Sequence, residues 1–151
     1  EKCARCRALG ADLAVDYREE NFVEAVKTFT RGHGADVILD MVGGDYIERN
    51  HEAAAVEGRI VQIAFLRGSK VTMNFMRVML KRLHHTGSTL RARDAAFKGE
   101  IATALREKVW PLVENGTVKP VIDSTFPLAQ VVEAHRRMET NAHVGKIVLT
   151  V

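Results

Sequence analysis

The stretch Asp36-Val37-Ile38-Leu39-Asp40-Met41-Val42-Gly43-Gly44-Asp45 decides the fold class. Asp36–Val42 is nearly continuous in apolar side chains, the pattern of a strand covered on both faces, as in a parallel sheet. Gly43-Gly44-Asp45 breaks the run, and a helix is predicted from there to about Val56, with Ile47, Asn50 and Ala54 on one stripe. Gly58 resets the chain into a second apolar strand, Arg59–Ala64. On the N-terminal side, Glu19–Arg31 reads as a helix, with Phe22, Val26 and Phe29 at helical spacing and Gly32 and Gly34 beyond its end. A short apolar strand, Ala14–Tyr17, is predicted before it. On the C-terminal side, the spacing predicts a helix over Asn74–Leu83, with Met76, Met79, Leu80 and Leu83 on one face, and a strand over His85–Leu90. The longest helix is predicted over Ala95–Asn115, carrying Phe97, Ile101, Leu105, Val109 and Leu112, with Gly116 as its stop. Val121–Phe126 is extended, Pro127 opens a helix to about Thr140, and Lys146–Val151 closes the chain as a strand.

Strands alternating with helices imply βαβ units and a parallel sheet, hence an α/β fold. In such sheets ligands sit beyond the carboxyl ends of the strands, where strand order reverses. The residues to inspect are therefore Tyr17-Arg18, Val42-Gly43-Gly44, Ala64-Phe65 and Leu90-Arg91.

The chain has 151 residues, 46% of them hydrophobic and 27% charged. That balance excludes a disordered, collagen-like or disulfide-stapled protein. Apolar runs such as Val37–Leu39 and Ile147–Leu149 fall far short of the roughly 20 residues of a membrane span. Cys3 and Cys6 are too few for a disulfide framework, which points to a reducing, cytoplasmic setting. The net charge of 22 − 19 = +3 is spread along the chain and argues only weakly for a polyanionic partner. Glu1–Leu9 reads as an amphipathic helix already under way and closed by Gly10, with no initiator Met and no leader. The chain is therefore expected to be the C-terminal part of something longer.

Each candidate site has a plain alternative. Gly43-Gly44 lets a ligand approach the backbone with helix N–H groups facing it, or simply makes a tight strand–helix turn. Lys2 and Tyr17 together could grip a phosphate monoester, or be solvated surface. Cys3-Ala4-Arg5-Cys6 has C-x-x-C spacing, but a zinc site wants a second pair of ligands and the histidines are scattered, with His84 and His85 merely adjacent. No metal is expected. Lys81, Arg82, His84, His85, Arg91 and Arg93 form the densest basic stretch, yet no aromatic residue lies among them, so nucleic acid is not an expected partner. Neither a G-x-G-x-x-G, nor a P-loop, nor a G-x-S-x-G elbow is present.

Read in order, Glu1-Lys2-Cys3, Leu9-Gly10-Ala11-Asp12, Asp16-Tyr17-Arg18, Gly34–Asp40, Val42-Gly43-Gly44 and Gly58–Val61 resemble the coenzyme domain of zinc-independent quinone oxidoreductases. These form the zeta-crystallin-like branch of the medium-chain dehydrogenase/reductase superfamily. Gly87–Arg91 and the closing Glu133-Ala134-His135 and Gly145–Leu149 continue the resemblance, which covers the whole chain and is particularly similar to the p53-inducible subgroup.

The resemblance implies the C-terminal part of a Rossmann doubly wound parallel sheet, lacking its first two strands, the glycine-rich phosphate loop and the GroES-like catalytic domain. Residues 1–118 would belong to the NADP-binding domain, and 119–151 would return to the catalytic domain. Lys2 resembles the lysine that meets the 2′-phosphate of NADPH, and Tyr17 the tyrosine that shares this role. Val42, Gly43, Gly44, Ala64 and Phe65 match segments passing the coenzyme riboses, and Leu90 and Arg91 the strand meeting the nicotinamide end. Asn141 falls where some relatives place an arginine near the phosphates. The implied chemistry is hydride transfer from NADPH to a quinone or activated alkene, with no catalytic acid or base in this chain. An enoyl-thioester reductase of the same superfamily, or a non-catalytic module keeping only the fold, are the alternatives. Strand order 3-2-1-4-5-6 puts strand one centrally. Without it Val37–Val42 has an open edge, so this chain alone is expected to dimerise, swap segments or aggregate. Relatives' dimers form near Gly87–Leu90, which implies a homodimer. No membrane partner is expected.

Overall fold

A computed structural model describes residues 1–151. The chain divides into two compact units, Cys6–Arg93 and Glu1–Arg5 with Asp94–Val151. Helix α1, Lys2–Ala8, opens the chain.

In the first unit α2 (Phe22–Phe29), β1 (Ala35–Asp40), α3 (Tyr46–Ala53), β2 (Ala54–Gln62), α4 (Met76–Lys81) and β3 (His84–Gly87) alternate as anticipated. The strands form one parallel sheet in the order β1-β2-β3. Asp40 pairs with Gln62, and Gln62 with Gly87, so all three strands end at one edge. Asn21 starts α2 by accepting the Val23 N–H on its side-chain oxygen at 3.0 Å. Phe22 of α2 stacks on Tyr46 of α3 with ring centroids 5.3 Å apart, and the Arg49 guanidinium lies 4.4 Å from the Phe22 centroid. Lys81 of α4 donates to the carbonyls of His51, Glu52 and Ala54, closing the C-terminal end of α3. The core is built on Ile60, wholly buried, with Ala54 and Leu83 around it and Ile38 and Val78 packed against it.

The second unit holds α5 (Ala95–Lys108), α6 (Trp110–Glu114), β4 (Ile122–Pro127), α7 (Val131–Glu139) and β5 (Lys146–Thr150). Strands β4 and β5 pair in parallel. Asp123 ties them to α7: its carboxylate accepts two N–H bonds from Arg137 at 2.9 and 3.1 Å and one from the Val144 backbone at 3.0 Å. The Arg137 guanidinium, with the Val144 N–H and Ser124 hydroxyl, holds the Asp123 carboxyl well below the usual carboxylate range. Gly145, at φ +103°, has room for no side chain, since a Cβ there would collide with the Val121 carbonyl oxygen.

Several sequence expectations need correction. Ala14–Tyr17 is not a strand: it makes no ladder, and a lone extended segment has no neighbour to bond. The helix expected over 95–115 breaks at Val109, because Pro111 lacks an N–H and its ring crowds the preceding turn. Its stripe of Phe97, Leu105, Val109 and Leu112 is exposed rather than buried. β2 begins at Ala54, paired with Ala35, and so α3 stops at Ala53. It ends at Gln62, so Ala64 is loop, and β3 ends at Gly87 rather than Leu90. Pro127 closes β4, a 3₁₀ turn over Leu128–Gln130 follows, and α7 starts at Val131. The continuous apolar run of β1 is covered on one face only, for Val37 and Leu39 are 66% and 63% exposed.

Ile60→Ala should lower the stability of the sheet unit by about 3 kcal/mol, the cost of an empty cavity at a fully buried position. Urea denaturation will show it as a fall in the midpoint with an unchanged slope.

Candidate functional site

The common carboxyl edge of β1, β2 and β3 is where a doubly wound sheet reads its ligand. Asp40 ends β1 and is only 4% exposed. Its carboxylate accepts the Val42 N–H at 2.6 Å and the Gly43 N–H at 3.2 Å. That grip turns the chain sharply and places Gly43 at φ +67° and Gly44 at φ +57°, conformations glycine adopts without strain.

The loop after β1 is zipped to the loop after β2. Ile63 N–H donates to the Asp40 carbonyl at 2.8 Å, Leu66 N–H to Met41, Arg67 N–H to Val42, and Gly44 N–H to Gly68 at 2.8 Å. A Cβ on Gly43 would lie 2.7 Å from the Gly68 carbonyl oxygen and 2.8 Å from Cδ1 of Phe65, and one on Gly44 would lie 2.9 Å from the Arg67 carbonyl oxygen. The two glycines therefore permit loop–loop contact, and the amides of Gly43 and Gly44 are engaged inside the protein. Gln62, 6% exposed, joins all three strand ends. Its side-chain amide donates to the carbonyls of Ala64 at 2.7 Å and Asp40 at 3.3 Å, while its backbone carbonyl accepts the Ser88 N–H at 3.0 Å. Its side-chain oxygen is buried without a partner. Beside β1 an apolar groove of about 270 Å³ is lined by Phe22, Val26, Ile38, Leu39, Met41 and Tyr46.

The structure thus brings Gly43 against Phe65, and Val42 and Gly44 against Arg67 and Gly68, while Ala64 is held by Gln62. Leu90 and Arg91 follow β3, beyond the Ser88 bond to Gln62. Tyr17 is exposed in the same unit. Lys2 and Asn141 meet in the other unit, where the Lys2 ammonium donates to the Asn141 carbonyl at 2.6 Å and to its side-chain oxygen at 2.9 Å. The sequence reading missed Asp40 and Gln62, although a carboxylate at the end of a buried apolar run, just before Gly-Gly, was a usable signal.

Residues 9–149 match the zinc-binding dehydrogenase family. The chain belongs to that family. It lies in the medium-chain dehydrogenase/reductase superfamily, an oxidoreductase lineage. The sequence is 29% identical over 150 residues to the quinone oxidoreductase-like protein 2 homolog of Nematostella vectensis, covering 99% of this chain and 41% of that protein. It is 29% identical over 145 residues to the lovastatin diketide synthase of Aspergillus terreus, covering 95% of this chain and 6% of the synthase. Among solved structures it is similar to an NAD-dependent alcohol dehydrogenase, with TM-score 0.80 and 35% identity over 99% of this chain and 41% of that one. The JamJ enoyl reductase matches at TM-score 0.78 and 25% identity, over 99% of this chain and 44% of that one. The chain spans less than half the length of these relatives. The sheet is accordingly the C-terminal part of a Rossmann-like domain.

The residues of this chain do not fit a zinc ion. No three side chains among its histidines, cysteines and acids converge, and Cys3 and Cys6 are both unpaired.

Asp40→Ala leaves the Val42 and Gly43 amides without their acceptor and should cost about 2–4 kcal/mol. Asp40→Asn, which keeps one acceptor oxygen, should lose less. Chemical denaturation will rank the two variants, and faster amide exchange at Gly43 will place the damage at the turn.

Proposed function

We propose that the chain is the coenzyme-binding portion of an NADPH-dependent quinone oxidoreductase of the p53-inducible subgroup, acting as a cytoplasmic homodimer. The observation that carries this reading is the interlocked pair of loops at the carboxyl edge of the sheet, in a chain similar over 99% of its length to a quinone oxidoreductase-like protein. The close loop–loop contact that Gly43-Gly44 permits fixes the backbone of that edge, along which a polar ligand would lie. The coenzyme, when bound, supplies the hydride, and the protein's part is to orient it and keep water away.

In this reading Val42-Gly43-Gly44 and Ala64-Phe65 pass the riboses, and Leu90 and Arg91 the nicotinamide end. Lys2 receives the 2′-phosphate, the role that its resemblance implies. An ammonium has three donors. Two of those of Lys2 are taken by Asn141, so one remains for a phosphate oxygen, and Asn141 acts by holding Lys2 in place. No residue of this chain is assigned as acid or base. Residues 119–151, with the β4–β5 pair, return to the catalytic domain. The two free cysteines suit a reducing compartment. A second reading, an enoyl-thioester reductase, is favoured by the likeness to a diketide synthase and to the JamJ enoyl reductase.

Calorimetric titration of the intact protein with NADPH and NADH tests the coenzyme. NADPH should bind more tightly, and Lys2→Ala should weaken it by about tenfold or more, the worth of a charge-assisted bond, with little effect on NADH. Tighter binding of NADH overturns the phosphate assignment. Turnover of a quinone against an enoyl thioester then separates the two reactions.

A further inference from the structure

Away from the carboxyl edge, two histidines distant in sequence meet between α3 and β3. His51, near the C-terminal end of α3, is 1% exposed. Its Nε2 lies 2.8 Å from Nδ1 of His85, the rings crossing edge to face at 85° with centroids 5.0 Å apart. The other nitrogen of His51, Nδ1, is buried and has no partner. His85 is exposed and pairs in the ladder with Ile60, the most buried residue of the core. Strand β3 is the edge of the sheet, bonded to β2 alone, so this contact supplements the single ladder that holds it.

We propose that His51 and His85 form a proton-operated latch between α3 and the edge strand β3, closed while both rings are neutral and released when His85 takes up a proton. A hydrogen bond between two imidazoles needs one N–H and one lone pair. With its proton on Nε2, His51 donates to His85 Nδ1 and leaves no buried N–H unsatisfied, while the exposed His85 carries its own proton on Nε2. A proton reaching His85 converts it to imidazolium, with an N–H on both nitrogens. The bond then survives only if His51 shifts its proton to Nδ1, where no acceptor exists, so the rings part instead.

The surroundings keep His51 from taking the charge itself. Burial, and next the neighbouring His85, hold it below the ordinary histidine value of 6.5. Arg77 and Lys81 from α4 act in the same direction, and Glu48 on α3 pulls against them. Glu52 on α3 is already paired with Lys27 of α2 and Arg77. The sign for stability follows from the lowered value. The unfolded chain binds a proton at His51 as pH falls through about 6.5 and the folded chain resists, so stability is lost on the acid side.

Long-range proton–nitrogen spectra of the intact protein, taken between about pH 5 and 8, read both rings directly. His51 should remain neutral with its proton on Nε2, and its Nδ1 resonance should move in step with the titration of His85. Amides of His84–Gly87, corrected for intrinsic pH dependence, should exchange about tenfold faster at the acid end. His85→Asn, which cannot titrate, should abolish that acceleration. An ordinary midpoint for His51, or equal acid acceleration in His85→Asn, overturns the latch. Should His85→Asn fail to fold, the ring spectra of the unaltered protein decide alone. None of these readouts involves coenzyme, so their failure is distinct from failure of the proposed activity.

Discussion

A carboxylate that is 4% exposed must be offset by hydrogen bonds, and Asp40 finds its partners in the chain that immediately follows it. The Val42 and Gly43 amides turn back onto it, which forces the left-handed glycines. Those in turn admit the second loop to backbone contact. Gln62 extends the arrangement to β3 through Ser88. The edge of the sheet is thus a single hydrogen-bonded assembly hung from one acid, and its geometry rests on the bonds that acid accepts.

The alternation of elements was legible because parallel strands and amphipathic helices leave strong periodic marks. β1, β2 and α2 lie where Val37–Leu39, Ile60–Val61 and the Phe22/Val26/Phe29 spacing put them. Errors cluster where a neighbour decides. Ala14–Tyr17 has strand composition but nothing to pair with, and Pro111 overrides a stripe of apolar residues that runs straight through it. Of the candidate site residues, Gly43 and Phe65 were expected at strand ends, and only the fold reveals how closely they approach. The His51–His85 contact joins positions 34 residues apart with no shared motif, so nothing local announces it.

Electrostatics around α3 follow one plan. Its acidic residues Glu48 and Glu52 face Lys27 and Arg77, while Lys81 takes the carbonyls at its end. Burial lowers the Lys81 ammonium from its ordinary value, yet the three carbonyl oxygens suit a cation and complement the negative end of the helix. Arg77 and Lys81 also weigh against a charged imidazole at His51, adding to the larger effects of burial and His85.

The sheet of β1, β2 and β3 contains no hairpin, and that bears on how the polypeptide acquires its shape during synthesis. Each neighbouring pair is parallel and separated by a crossover helix, so neither ladder can close by a short local turn. The main β1 ladder waits for residues 59–62, and Val37 and Leu39 stay exposed even once it has closed. High sequence separation slows such pairing and lengthens the interval in which an apolar strand is open to wrong partners. For this fold the interval between making β1 and pairing it with β2 leaves its ladder open, and the apolar face of β1 stays open after it.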